Sequence, residues 1–213
     1  MAVTIKSDRL QLGPGKLWVA PLTTIADADL DDFTVTSGVF SDGFDSGEVP
    51  GDATWLPLGA TNEGTAINTT MESANVEVAE SYDPVAIIST GKGASLNVGL
   101  VTFNITTYLA AFNASSGAWA GTPGATASAI FTPPAVGQEV RRQIMWVSDK
   151  MTDIVVFFQA FQAGSIEEAH RKGADKGVMN CEFRAEIPPT AVANSAWKRI
   201  VCGAAWAATA NTE

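Results

Sequence analysis

Cysteine, histidine and clustered glycine are the residue types best able to do chemistry, and in this chain none stands in a productive pattern. Cys181 and Cys202 have no CxxC spacing, and no HExxH occurs, so no zinc ligand set can be drawn. Paired, the two would close a loop of about 20 residues, a crosslink worth about 3 kcal/mol. Two cysteines are too few for a disulfide scaffold, and Cys181 alternates with apolar neighbours, so free buried thiols are expected. The single histidine, His170, lies in Ser165-Ile-Glu-Glu-Ala-His-Arg-Lys-Gly173. Ser165 three residues before Glu168, acids ahead of bases, and Gly173 as a stop predict one short helical turn there. His170 would then sit at a helix C-terminus, and no GxSxG elbow offers it a serine to activate.

The glycine clusters fare no better. Gly91-Lys92-Gly93 lacks the upstream glycine and the following Ser or Thr of a phosphate loop. In Gly13-Pro14-Gly15-Lys16, Pro14 removes an amide that a phosphate would need. Both stretches read as turns. Asn68, Asn104 and Asn113 begin Asn-X-Ser/Thr triplets, but the opening residues carry no apolar h-region, so no secretory route is expected. With no nucleophile–base pair in sight, the expectation is a protein that is not an enzyme and uses no cofactor or metal.

Composition narrows the class further. The chain has 213 residues, 46% of them hydrophobic and only 17% charged, where a charged share of about 25% is usual. That excludes disorder over most of the length and is enough for one domain, residues 1–213, with its own core. The low charge also suggests that a partner covers part of the surface. Ile154 to Phe158, the longest strongly apolar core, is far short of the ~20 residues that span a bilayer, so no membrane segment is expected. Residues 1–90 carry 14 acids and 3 bases, while residues 91–213 carry 9 acids and 10 bases. Without clustered Lys and Arg, tight binding of nucleic acid is not expected.

The elements that would position any site are mostly strands. Leu17 to Ala20, Trp55 to Leu58 and Gln143 to Ser148 are short apolar segments between turn residues. Ile67, Thr69 and Met71 alternate with polar neighbours, as do Val76 and Val78, then Leu96, Val98 and Leu100. These runs predict a long hairpin between Val76 and Val101, turning at Gly91-Lys92-Gly93. Gly59 to Gly64 predicts a tight turn. Ile154 to Phe161 is apolar at every parity, the pattern of a strand covered on both faces. Val178 to Ile187 alternates cleanly, and Trp197 to Cys202 predicts one more strand. One helical pattern interrupts them: Ile105, Tyr108, Leu109 and Phe112 at i, i+3, i+4 and i+7, with Asn104 as cap. So short a helix needs a sheet to lie on. An acidic excursion at 23–52 and an Ala/Gly/Pro-rich stretch at 115–134 read as loops. The fold class is mainly β, a sandwich or barrel with one short amphipathic helix flanking the sheet.

The order of several short motifs resembles a known group. Trp55-Leu-Pro-Leu-Gly-Ala-Thr-Asn-Glu-Gly64, Val76-Glu-Val-Ala-Glu80, Asp83-Pro84, Gly91-Lys92, Val98-Gly-Leu100 and Leu109-Ala-Ala-Phe-Asn113 are similar to the major tail tube protein of long-tailed actinobacteriophages of siphovirus type. So are the opening Gly13 to Pro21 and the late series Asp153-Ile-Val-Val-Phe-Phe158, Arg171 to Lys176 and Phe183-Arg-Ala-Glu186. The resemblance implies a structural virion protein of β-sandwich type in a homohexamer, whose rings stack into the viral tail tube. The tube is built around a tape-measure protein, bounded by a tail terminator and tail-tip proteins. It passes DNA during ejection without binding it tightly. The location implied is the virion tail, and the host cytoplasm during assembly.

Open sheet edges would be completed by identical copies in such a ring. Under this reading Glu72, Glu77, Glu80 and Asp83 are candidate channel-facing acids that repel phosphate. Val76, Val78, Gly91, Lys92, Gly93, Leu96 and Val98 form the candidate inter-subunit hairpin, and Ile105, Tyr108, Leu109 and Phe112 pack the helix on the sheet. Another β-sandwich virion component, a capsid decoration or tail-tip module, would share composition and charge but form discrete oligomers. A carbohydrate-binding module would use the six Trp as stacking platforms, but they are scattered along the chain.

Overall fold

The computed structural model describes residues 15–22, 35–36, 39–40, 55–76, 85–121, 128–148, 153–169, 177–190, 193 and 195–201. The strands are β1 (Lys16–Pro21), β2 (Val35–Thr36), β3 (Val39–Phe40), β4 (Leu56–Pro57), β5 (Thr61–Val76), β6 (Ala86–Leu100), β7 (Trp119–Ala120), β8 (Ile130–Phe131), β9 (Arg142–Val147), β10 (Asp153–Gln162), β11 (Glu167–Ala169), β12 (Val178–Ala185) and β13 (Trp197–Val201); the helix α1 is Ile105–Ala111. The protein is mainly β, built on one antiparallel nine-stranded sheet with the order β4-β1-β9-β10-β12-β6-β5, to which β11 adds beside β12 and β13 beside β10.

This sheet rolls up, and chain connectivity requires it. β4 and β5 lie at opposite ends of the strand order, six strand spacings or about 29 Å apart if the sheet were flat. Yet Pro57 and Thr61 are joined by only three residues, whose extended reach is about 14 Å. Within that link Leu58 N donates to Leu17 O (2.9 Å) on β1, and Val101 N, just past β6, donates to Ala60 O (3.0 Å). Leu58 itself is fully buried inside the roll with Leu17, Val19, Leu96, Val98, Leu100 and Phe157. Removing each such side chain from water contributes about 1.5–3 kcal/mol. The tight turn expected over Gly59–Gly64 is instead a bend and a bulge. Gly59 takes φ +90°, where a Cβ would lie 2.5 Å from Thr102 Cβ. Gly64, at φ +89°, falls where the β5–β6 register shifts between Thr61 and Thr65.

β10 is covered on both faces, as its apolar pattern predicts, and so is its neighbour β9. Ile144, Trp146, Val155 and Phe157 face the roll's interior. Met145, Val147, Ile154, Val156 and Phe158 join Ala20, Trp55 and Ala193 in a second cluster on the other face. The edge of β10 is shared: its first half pairs with β13 and its last residues with β12. Asp153, buried at the start of β10, receives a two-pronged guanidinium from Arg199 of β13, with Nε at 2.9 Å from Oδ1. That hydrogen bond raises the Arg199 pKa further.

Two sequence expectations fail here. Ser165 to Ala169 does not form a helical turn; Glu167–Ala169 is strand β11, with Glu168 opposite Met179 of β12, and residues 170–173 lie outside the described residues. A ladder against an existing strand satisfies backbone groups that a lone helical turn leaves open. Residues 115–134 are not all loop either: Trp119–Ala120 pairs with Ile130–Phe131 in a short ribbon. Of the 23–52 excursion, Val35–Thr36 pairs with Val39–Phe40; the rest lies outside the described residues. The strands at β1, β4, β9, β12 and β13 stand where expected.

Candidate functional site

The long β5–β6 hairpin is present, but its turn is not at Gly91-Lys92-Gly93. Those residues lie inside β6, opposite Glu72, Met71 and Thr70. The strands continue to the pair Val76–Ala86 and are closed by Val85 N donating to Val76 O (2.9 Å). Thr90 has no partner in the register, which passes from Glu72–Gly91 to Ser73–Ser89, so it forms a β-bulge. The glycines serve close packing across the ladder rather than a turn. A Cβ on Gly93 would lie 2.9 Å from Thr70 Oγ1, and one on Gly91 3.1 Å from Glu72 Oε2.

The two halves of this hairpin differ in burial. Leu96 and Val98, expected at a subunit contact, are buried in the core. Period two, with β12 on the adjacent edge, turns both inward. By contrast, every residue from Asn68 to Val76 and from Val85 to Thr90 is exposed. Directly opposed residues share a face, so Ala74, Ile88, Val76 and Ala86 make one apolar face of this ribbon. Ile87 and Met71 stand on the other. Ile87 is 68% exposed and Ile88 51%. Val78, Glu77, Glu80 and Asp83 lie outside the described residues.

Glu72 is exposed on the side of the sheet away from the core. The pairing sets it on one face with Asn68, Thr70, Ser95, Asn97, Asn180 and Glu182. Among the described residues of this patch the one base is Arg184, whose Nε donates to Glu182 Oε1 at 2.9 Å.

The helix begins as predicted: Asn104 Oδ1 accepts from Thr107 N (2.8 Å). The face it buries deepest is different. Thr107, Ala110 and Ala111 are fully enclosed, while Tyr108, Leu109 and Phe112 are half-buried and Ile105 is exposed. Small residues let the helix axis lie close to the sheet. Its aromatic flank is then capped by the β7–β8 ribbon, whose Phe131 lies 5.7 Å from the ring of Tyr108 and 5.2 Å from that of Phe112. Tyr108 also donates to Glu168 Oε1 (2.8 Å). Asn113 follows the helix. At φ 50° it receives Gln162 N at Oδ1 and donates to Gln162 O through Nδ2, both at 2.9 Å. It thus replaces a strand partner at the end of β10.

No protein-family model matches the chain, and no curated protein matches it significantly. The site must therefore be read from its geometry.

An apolar cavity of about 710 Å³ lies between α1, the end of β1 and the start of β9, lined by Val19, Leu22, Leu56, Leu109, Val140 and Arg142 among others. Leu56 on its rim is 48% exposed. Arg142 Nη2 donates to Ala114 O, but Nη1 is buried with no partner. Burial lowers the Arg142 pKa, and among the described residues it makes no ion pair. Its neighbours are already engaged. Arg141 pairs with Glu186 (3.2 Å) and lies over the Phe161 ring, and Glu139 accepts from Gly137 N (2.9 Å).

Among the described residues no group of three His, Cys, Asp or Glu could hold a metal, and no helix is long and apolar enough to cross a membrane. Cys181 is a free, buried thiol whose pKa burial pushes to about 12, so little thiolate forms near neutrality. His170 and Cys202 lie outside the described residues. Among the described residues no tryptophan is fully exposed, and Trp206 lies outside them.

Proposed function

We propose that this chain is a structural virion protein whose copies close into hexameric rings and stack into a phage tail tube, a conduit for DNA. The observation that carries the reading is the distal β5–β6 ribbon. A two-stranded ribbon with water on both faces is marginal by itself, and this one exposes Met71, Val76, Val85, Ile87 and Ile88. Burying such side chains against another copy recovers about 25 cal/mol per Å². Open edges support the same reading: among the described residues no strand pairs with the outer edges of β5, β4 or β13. Strand addition by a neighbour satisfies their amides and carbonyls, and cyclic closure leaves no edge free.

The neutral-to-acidic face carrying Asn68, Thr70, Glu72, Asn97, Asn180 and Glu182 suits a channel wall. Among the described residues of this patch no cation is left unpaired for phosphate, and carboxylates repel DNA within a Debye length of about 8 Å. Changing Glu72, Glu77, Glu80 and Asp83 together to amides is expected to slow DNA ejection from particles whose tubes still form; unchanged ejection removes the channel assignment.

Electron microscopy of the purified full-length protein tests the reading. Hollow stacked rings are expected. Monodisperse monomer at high concentration overturns it, and compact trimers select a capsid decoration protein. Because Gly91–Gly93 is mid-strand, the hairpin is best shortened at its true end, by replacing residues 74–88 with Asn-Gly. The Ser73–Ser89 pair then flanks a two-residue turn. The variant is expected to fold as a monomer and form no tubes.

A further inference from the structure

A second cleft opens where the sheet divides. β12 pairs with β6 only as far as Arg184–Ser95, and with β10 only from Ala160 onward. Earlier residues of β10 give that edge to β13 instead. Beyond Ser95 the β5–β6 pair has no third strand among the described residues, so the roll parts between β5 and β13. The gap is a cleft of about 350 Å³, within the small-molecule range of about 300–1,000 Å³. One wall is a row of directly opposed residues, Trp146 on β9, Val155 on β10 and Arg199 on β13, with Trp197 two residues from Arg199 on the same face. The other wall is β5, with Ile67 and, exposed at the rim, Thr69.

We infer that this cleft binds a neutral, hydroxylated ring of hexose size, a single saccharide residue. The chemistry of the walls selects it. A sugar ring has an apolar C–H face and a polar rim. The indoles of Trp146 and Trp197, with Val155 and Ile67, suit the first; the Arg199 guanidinium and the Thr69 hydroxyl suit the second. The charge of Arg199 is already met. Its Nε and Nη2 donate to the buried carboxylate of Asp153, which fixes the direction of the guanidinium and leaves Nη1 as a donor among the described residues. An anionic ligand therefore gains little here, and a flat aromatic one would use neither Nη1 nor the hydroxyl. The Arg199 side chain is 44% exposed and Trp197 is half-buried, so the mouth of the cleft is open to solvent. All of these residues belong to one copy, so the inference goes beyond the tube reading and does not depend on it.

Saturation-transfer NMR on the full-length protein, titrated with methyl α-glucoside, methyl β-galactoside and N-acetylglucosamine, tests the site. At least one of these is expected to bind saturably, with a Kd on the order of 1 mM. Thr69→Tyr, which fills the cleft from its exposed rim, is expected to weaken that binding about tenfold while the circular dichroism spectrum stays unchanged. Trp197→Ala should abolish binding and Trp197→Phe, which keeps a ring, should retain most of it; Thr69→Tyr decides if Trp197→Ala does not fold. No saturable binding of any of the three sugars overturns the inference. So does sugar binding that Thr69→Tyr leaves intact, or a preference for glucuronate or indole over every neutral sugar.

Discussion

The two halves of the β5–β6 hairpin share a backbone ladder but live in different environments. In the proximal half, Leu96, Val98 and Leu100 face the interior of the roll, and β12 pairs with the free edge of β6. In the distal half the same two strands continue with neither a third strand among the described residues nor a core beneath them. Hydrogen bonding is the same in kind; burial is not. Apolar side chains stabilise the monomer only in the first half. In the second they are available to another molecule.

Substitutions of similar chemistry on one strand sharpen this contrast. Leu96→Ala is expected to cost about 2–5 kcal/mol in urea unfolding, the range for a fully buried aliphatic. Ile88→Ala should change monomer stability by no more than about 0.5 kcal/mol and still impair assembly. A large loss of monomer stability from Ile88→Ala would break the comparison. Asn113→Ala comes next, at about 2–4 kcal/mol, since it strands Gln162 N and O without their buried partners.

A smaller effect tracks pH. Burial pushes the Cys181 thiol up to about 12 from 9.0. Burial and the Glu168 hydrogen bond push the Tyr108 phenol to about 12 from 10.0. Both groups hold their protons more tightly when folded. Their contribution is complete below pH 9 and is lost as pH rises toward 12, at most about 1.4 kcal/mol per pH unit for each proton. Urea midpoints from pH 8 to 11 should fall, and Cys181→Ala should flatten the part that begins near pH 9. Smallest is Gly93→Ala, expected to cost about 1 kcal/mol through the close approach to Thr70 Oγ1, with Thr70→Ala restoring most of it.

Much of the fold was legible. Strands at β1, β9, β10 and β12 announced themselves because period-two burial is a local pattern, and Asn104 marked the helix start because a cap acts over three residues. The misreadings share one cause. Gly91-Lys92-Gly93 carries turn residues, yet cross-strand neighbours Thr70 and Glu72 use the space the glycines leave. Ser165 and Glu168 spell a helix cap, yet an available strand edge claimed the segment. Leu96 and Val98 looked no different from Ile87 and Ile88, because hydrophobicity does not report what covers it. The cavity and the unpaired Arg142 left no trace in sequence, since their parts come from residues as distant as Val19 and Val140.

By itself the amino-acid order determined that this chain is a β protein with one capped helix, a long hairpin, an acidic first half and no recognisable catalytic set. Those properties follow from neighbours within a few residues or from simple sums. The rolling-up of the sheet, the true end of the hairpin and the division between core and exposed ribbon were decided only by tertiary structure. Each depends on which distant strands meet, and three residues between β4 and β5 are what compel them to.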